Sequence, residues 1–133
     1  MRIVVDTNVF ISSFFGGNPR KVIDLWKEGK VTLCLSQAIL DEYIQVLVRM
    51  GLAEKQELSE LLSLFRKREH LLYVAKPSEV KVVRSDPGDD KFIECAVALE
   101  AEAIVTGDKA ILALGNYMRI KILSPQQFLK DYF

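Results

Sequence analysis

Four carboxylates in this sequence stand where a catalytic group would be useful: Asp6, Glu42, Asp90 and Asp108. Asp6 ends the apolar run Ile3-Val4-Val5, and Asp108 follows Val105-Thr106-Gly107. Glu42 lies inside "LSQAILDEYIQVL", and Asp90 closes the acidic turn "SDPGDD" just ahead of Phe92-Ile93. Carboxylates without histidine or cysteine beside them are hard oxygen ligands, suited to Mg²⁺ or Mn²⁺ rather than to zinc. Two such ions, about 3.5–4 Å apart, can activate water and stabilise the leaving oxygen in phosphodiester cleavage.

Each acid also has a plainer explanation when taken singly. Aspartate at a strand-to-helix junction is a good helix N-cap, which would account for Asp6 or Asp108. Glu42, projected at 100° per residue, borders the arc of Ile39, Tyr43, Val46 and Met50 and would reach solvent from its edge, whereas Asp41 faces water. Asp86, Asp89 and Asp90 read as a turn with capping residues, although three acids so close together repel unless a cation or solvent relieves them. A helix N-terminus favours a carboxylate such as Asp90. What the single explanations leave out is that all four positions would be gathered at one crevice by one kind of sheet.

That sheet follows from the elements. Ile3–Val5 is too short and too β-branched for a helix. Further strands are expected over 31–35, 71–74, 103–105 and 120–123. Helices are expected over 21–27, 37–50, 54–69, 89–100 and 109–114, with Ser36 as an N-cap and Gly51 past a helix end. Val80–Val83 is a short apolar piece of either kind. Ser124, Pro125 and Gln127 announce a final helix, as cap, first residue and capping-box partner. Strands alternating with helices predict a three-layer α/β/α sandwich with a central, mainly parallel sheet. Sites in such sheets lie beyond the C-terminal strand ends, where these acids fall.

Other chemistries find little support. His70 is the sole histidine and follows Arg66-Lys67-Arg68-Glu69, a surface setting. With His70 as the only base and no nucleophile motif, a Ser-His-Asp triad has nothing to stand on. Neither GxxxxGK[ST] nor GxGxxG occurs. Cys34 and Cys95 sit in apolar surroundings and read as small buried hydrophobes of a reducing, cytoplasmic setting. The 133 residues, 50% hydrophobic and 27% charged, suit one domain spanning 1–133. No apolar run approaches the roughly 20 residues that cross a bilayer, and the N-terminus does not read as a secretory signal. Eighteen basic and 18 acidic residues cancel, so no long phosphate footprint is advertised and local charge must decide.

Four blocks in order resemble the PIN-domain nucleases, and within them the VapC-like toxins of toxin–antitoxin pairs. These are "IVVDTNVFISSF", "CLSQAILDEYIQVL", "DDKFIECAVALEAEAIVTGDKAIL" and the closing strand with "LSPQQFL"; together they cover nearly the whole chain. The resemblance implies a five-stranded sheet and Mg²⁺- or Mn²⁺-dependent hydrolysis of RNA, with Asp6, Glu42, Asp90 and Asp108 around the ion. Asn8 and Thr106 would support the site by hydrogen bonds, Asp86 and Asp89 would be outer-shell ligands, and Lys109 would meet phosphate or remain a surface charge. Asp90 is preferred over Asp89 because it precedes Phe92-Ile93 as the family's aspartate precedes its apolar pair. Homodimers and a protein antitoxin that blocks the site are the implied partners.

Two other readings stay open. One is a PIN-like binding module without catalysis, suggested by the neutral charge. The other is an aspartyl-phosphate phosphoryl-transfer domain with Asp6 as nucleophile, opposed by Asn8 in place of a second aspartate and by the absence of acids over 2–5.

Overall fold

The computed structural model of the chain describes residues 1–80 and 90–133. It is an α/β domain of three layers with a six-stranded, mostly parallel sheet. In chain order the elements are β1 (Arg2–Val5), α1 (Thr7–Ser12), a 3₁₀ turn (Ser13–Phe15), α2 (Gly17–Lys27), β2 (Thr32–Ser36), α3 (Gln37–Arg49), α4 (Gln56–Lys67) and β3 (Leu71–Val74). There follow α5 (Asp90–Ala98), β4 (Ala103–Val105), α6 (Lys109–Leu112), β5 (Asn116–Tyr117), β6 (Ile120–Leu123) and α7 (Pro125–Tyr132).

The strand order is β3-β2-β1-β4-β6-β5. β1 is central because its residues can bear burial on both faces: Ile3, Val4 and Val5 are fully buried, as expected of a parallel strand covered by helices. From β1 the chain winds outward to β2 and β3, then returns to place β4 on the other side of β1. The strand order therefore reverses at β1. The crevice beyond the C-terminal ends of β1 and β4 is the switch point at which doubly wound sheets bind ligands.

Among the described residues the sheet has six strands rather than five. The addition is β5, two residues paired antiparallel with β6 after a turn in which Met118 takes φ 55°. Two residues are too short to show any alternation of polarity. Helix α1 is likewise unannounced. It begins directly after Asp6, and its consecutive buried Val9, Phe10 and Ile11 carry no helical period of their own. α2 starts at Gly17, four residues before its apolar face becomes legible. Met50 is half exposed at the end of α3 instead of joining its buried arc. There Gly51 takes φ 72°, and the N–H groups of Gly51 and Leu52 bond the carbonyls of Val48 and Leu47 at 3.1 and 2.9 Å, closing the helix. Val80 lies outside any element and donates its N–H to the Glu94 carboxylate at 3.0 Å; residues 81–83 lie outside the described residues.

Aromatic packing fixes α1 and α3 over the strands. The Phe10 and Tyr43 rings stack with centroids 4.0 Å apart and planes within 2°. Phe65 joins them from α4 and reaches Trp26 of α2 at 5.3 Å. Stacked pairs add about 0.5–1.5 kcal/mol beyond the burial of their area. Both cysteines are buried and free, and burial pushes their thiols up to about 11 for Cys34 and about 12 for Cys95. No helix among the described residues is long and apolar enough to cross a membrane.

Candidate active site

β1 and β4 are hydrogen-bonded neighbours, with Val5 opposite Val105. The ladder runs one residue further, as the Asp6 N–H bonds the Val105 carbonyl at 3.0 Å. Asp6 therefore leaves β1 at the point where Thr106 leaves β4, and both side chains turn into the space beyond the sheet. Asp6 is 2% exposed and Thr106 is fully buried.

Asp6 has two roles at once. Its Oδ1 accepts the Val9 N–H at 2.8 Å, capping α1, while Oδ2 accepts the Thr106 hydroxyl. That hydroxyl in turn accepts the Asp108 N–H at 3.0 Å. Asp108 caps α6, its Oδ1 taking the Ala110 and Ile111 N–H groups at 2.8 and 3.2 Å. Both carboxylates are thus helix caps, and a single threonine ties the two caps together. Capping accounts for Oδ1 of each residue. It does not account for burying one carboxylate within the field of the other.

Burial raises the Asp6 carboxyl above its usual range, and the charge of Asp108 raises it further. The Thr106 hydroxyl and the Val9 and Gly107 N–H groups oppose this. Carboxylates crowded in a desolvated cleft hold protons more tightly unless a cation relieves them.

Glu42 reaches the same cleft from α3. The Thr7 hydroxyl donates to its Oε2 and the Lys91 ammonium to its Oε1, the latter at 2.7 Å. Next to it Tyr43, buried from solvent, donates its hydroxyl to the Val5 carbonyl. Burial pushes this phenol well above its usual value, so it remains a donor. The bond fastens α3 to the last residue of β1, one position before Asp6.

The cleft holds about 180 Å³. Asp6, Thr7 and Asn8 line it from the β1–α1 junction, Glu42 and Val46 from α3, Phe92 from α5, and Asp108 from the end of β4. So the structure brings Asp6, Glu42 and Asp108 to one opening. Asp90 is the first residue of α5 and is 7% exposed, but it does not line this cleft. Asn8 lines it with an exposed side chain; the hydroxyl that Asp6 accepts comes from Thr106. Lys109, the first residue of α6, is exposed. Asp86 and Asp89 lie outside the described residues.

Two participants escape a reading of the sequence, Thr7 and Lys91. Thr7 shows only as part of "DTN", and Lys91 only as the residue after Asp90. Their partner Glu42 is 35 and 49 residues distant in the chain, so local pattern gives no hint of either contact. His70 and the run Arg66–Arg68 are exposed ahead of β3, at the opposite end of a parallel sheet from the acids.

The atoms of the cleft able to ligate a metal are oxygens, of carboxylate, hydroxyl and the Asn8 amide, which fits a hard divalent cation and not zinc or copper. Oδ2 of Asp108 accepts no hydrogen bond among the described residues. Among those residues, no three of the His, Cys, Asp and Glu side chains lie close enough together to hold an ion as they stand.

Comparison with known proteins converges on the same fold. A family model described as a PIN domain matches residues 2–110. An uncharacterized protein of Methanocaldococcus jannaschii is 30% identical over 147 residues, covering 99% of this chain and 92% of that protein.

Proposed function

We propose, from the premise that the chain belongs to the PIN-domain family, that it is a metal-dependent ribonuclease. In this reading residues 1–133 form one nuclease domain that hydrolyses RNA phosphodiester bonds in the cytoplasm, as the toxin of a toxin–antitoxin pair. The family is nuclease-type, and its members generally use divalent metal ions. One observation carries the reading. Asp6 and Asp108, brought together by adjacent parallel strands, are linked through Thr106 and share an oxygen-lined cleft with Glu42.

Asp6, Glu42, Asp108 and Asp90 are the residues proposed to hold Mg²⁺ or Mn²⁺. When bound, such an ion supplies a polarised water and neutralises charge on the phosphate. The chain supplies the rest. Thr106 fixes the rotamer of Asp6 and presents its Oδ2 edge, a supporting contact of the kind that orients metal ligands. The caps that Asp6 and Asp108 make to α1 and α6 hold each carboxylate on a rigid element. Phe92 and Val46 give the cleft an apolar wall that limits water. Asn8, exposed at the rim, is proposed to support the site by hydrogen bonding. RNA is the proposed substrate, and a second copy of the chain and a protein antitoxin are the proposed partners.

Incubating the purified chain with RNA and Mn²⁺ or Mg²⁺ tests this. The parent should cleave, chelator should stop it, and Asp6→Asn or Asp90→Asn should lose the activity while remaining folded. Equal cleavage by those variants would assign the activity to a contaminant. No cleavage by a parent that still takes up Mn²⁺ would favour the non-catalytic binding module.

A further inference from the structure

Lys91 reaches the acid cleft from α5 and places its ammonium 2.7 Å from Oε1 of Glu42, whose Oε2 is held by the Thr7 hydroxyl. Both oxygens of Glu42 thus have a donor. The pair is sheltered, with the Lys91 and Glu42 side chains 22% and 30% exposed. The other ion pairs among the described residues, Arg2–Glu100, Arg20–Glu57 and Lys30–Glu28, are each more exposed. The ammonium also lies 5.6 Å from the centroid of the Phe92 ring, one wall of the cleft, where an aromatic face attracts a cation.

A lysine so placed does what a cation would do. It offsets the mutual repulsion of carboxylates gathered in one opening, yet it carries a single charge and satisfies only one oxygen of Glu42. A hard divalent ion binds several carboxylate oxygens at once with twice the charge. It is therefore the stronger partner wherever it can also reach Asp6 and Asp108.

We propose that Lys91 is a built-in counter-ion of the cleft, which holds Glu42 in the metal-free chain and yields it by exchange when a divalent cation binds. This rests on the metal-dependent reading above and adds to it a competition between two cations for one carboxylate. A purely structural bridge between α5 and α3 would behave differently. Cutting it would loosen the site and weaken metal binding, whereas removing a competitor strengthens it.

Calorimetric titration with Mn²⁺ of the parent, Lys91→Met, Lys91→Arg, Lys109→Met and Asp6→Asn separates the possibilities. Lys91→Met should bind Mn²⁺ about five-fold more tightly than the parent, the factor expected when a half-sheltered ion pair no longer has to be broken. Lys91→Arg, which keeps the competing charge, should not tighten binding. Lys109→Met removes an equal charge beside Asp108 that forms no ion pair among the described residues, and should change affinity less than two-fold on the same scale. A second readout is thermal melting: Lys91→Met should melt lower than the parent without metal and gain more from Mn²⁺. Should Lys91→Met fail to fold, Lys91→Gln replaces it in both measurements. Equal or weaker Mn²⁺ affinity in the Lys91 variant overturns the exchange, and so does equal tightening by Lys109→Met, which would reduce the effect to general field. Binding by the parent that Asp6→Asn abolishes leaves the metal reading intact in either case. No Mn²⁺ uptake by the parent or by Lys91→Met overturns both.

Discussion

At the C-terminal ends of β1 and β4 the polar side chains are buried and bonded to one another. A few residues back along the same strands they stand in water. Asp6 and Thr106 are almost wholly enclosed and share a hydrogen bond. At the other end Arg2, the first residue of β1, pairs with Glu100 at 3.8 Å, with side chains 47% and 85% exposed. The strands and their apolar content are the same; what differs is the dielectric around the charges. An exposed pair gains about 0–1 kcal/mol because water already solvates both partners. A buried polar network is costly unless satisfied, and then fixes geometry closely. The two rims thus separate the labour of the sheet. The N-terminal rim, with His70, Arg66–Arg68 and Arg119 exposed, presents charge to water and contributes little else. The C-terminal rim carries crowding that opposes stability, since burial and the charge of Asp108 both raise the Asp6 carboxyl.

Mutations at the two rims should therefore behave unequally. The heaviest loss of stability is expected just beneath the acids, at Phe10, whose ring ties α1 to Tyr43. Phe10→Ala should cost about 3–5 kcal/mol in a denaturant titration. A cost below about 1 kcal/mol, on the same scale, would mean that the acid rim does not depend on that stack. Next comes Asp6→Asn, for which cleavage assays should show at least a hundredfold loss, roughly the scale of losing one charge-stabilising group. Stability should move the other way with pH. The folded chain holds the Asp6 proton above the ordinary 3.8, so between 3.8 and the raised folded value it binds more protons than the unfolded chain does. Its stability then falls as pH rises through that window. Thermal melts from about pH 3.5 to 7 should accordingly show Asp6→Asn gaining on the parent as pH rises, and Mn²⁺ should close the gap from the parent's side. A constant difference across that range would remove the crowding from the comparison.

Thr106→Val deletes the hydroxyl shared by Asp6 and Asp108. It should cost about 1.5–3 kcal/mol, as for a bond to a charged group, and melts at neutral pH would show it. The smallest effect belongs to the opposite rim. Glu100→Gln should change stability by no more than about 0.5 kcal/mol. A larger effect measured there would erase the contrast between the rims.

The parts of the fold that can be read in the sequence are those whose residues meet the same environment along their length. The runs Ile3–Val5, Ala103–Val105 and Ile120–Leu123 are dominated by apolar residues and bounded by turn or capping residues, and each appears within a strand. Ser36 and Ser124 cap the helices that follow them, accepting the Ile39 and Gln127 N–H groups at 3.3 and 3.1 Å. What resists reading is brevity or distance. α1 spans six residues and β5 two, each too few for a period to show. The carboxylates themselves are visible because acids after apolar runs are conspicuous. Their partners are not, because Tyr43 reaching Val5, Thr7 reaching Glu42 and Lys91 reaching Glu42 are contacts between elements. Nothing local in "DDKF" says that its lysine will answer a glutamate on another helix.

The reversal of strand order at β1 has a consequence in time as well as in space. Asp6 is made about a hundred residues before its neighbours Thr106 and Asp108. At synthesis rates of about 5–20 residues per second the first carboxylate waits roughly 5–20 s for them. Until β4 pairs with β1, Asp6 has neither Thr106 nor Asp108 beside it and the cleft does not exist. The candidate site is thus assembled late, only once β4 has been made and has paired with β1.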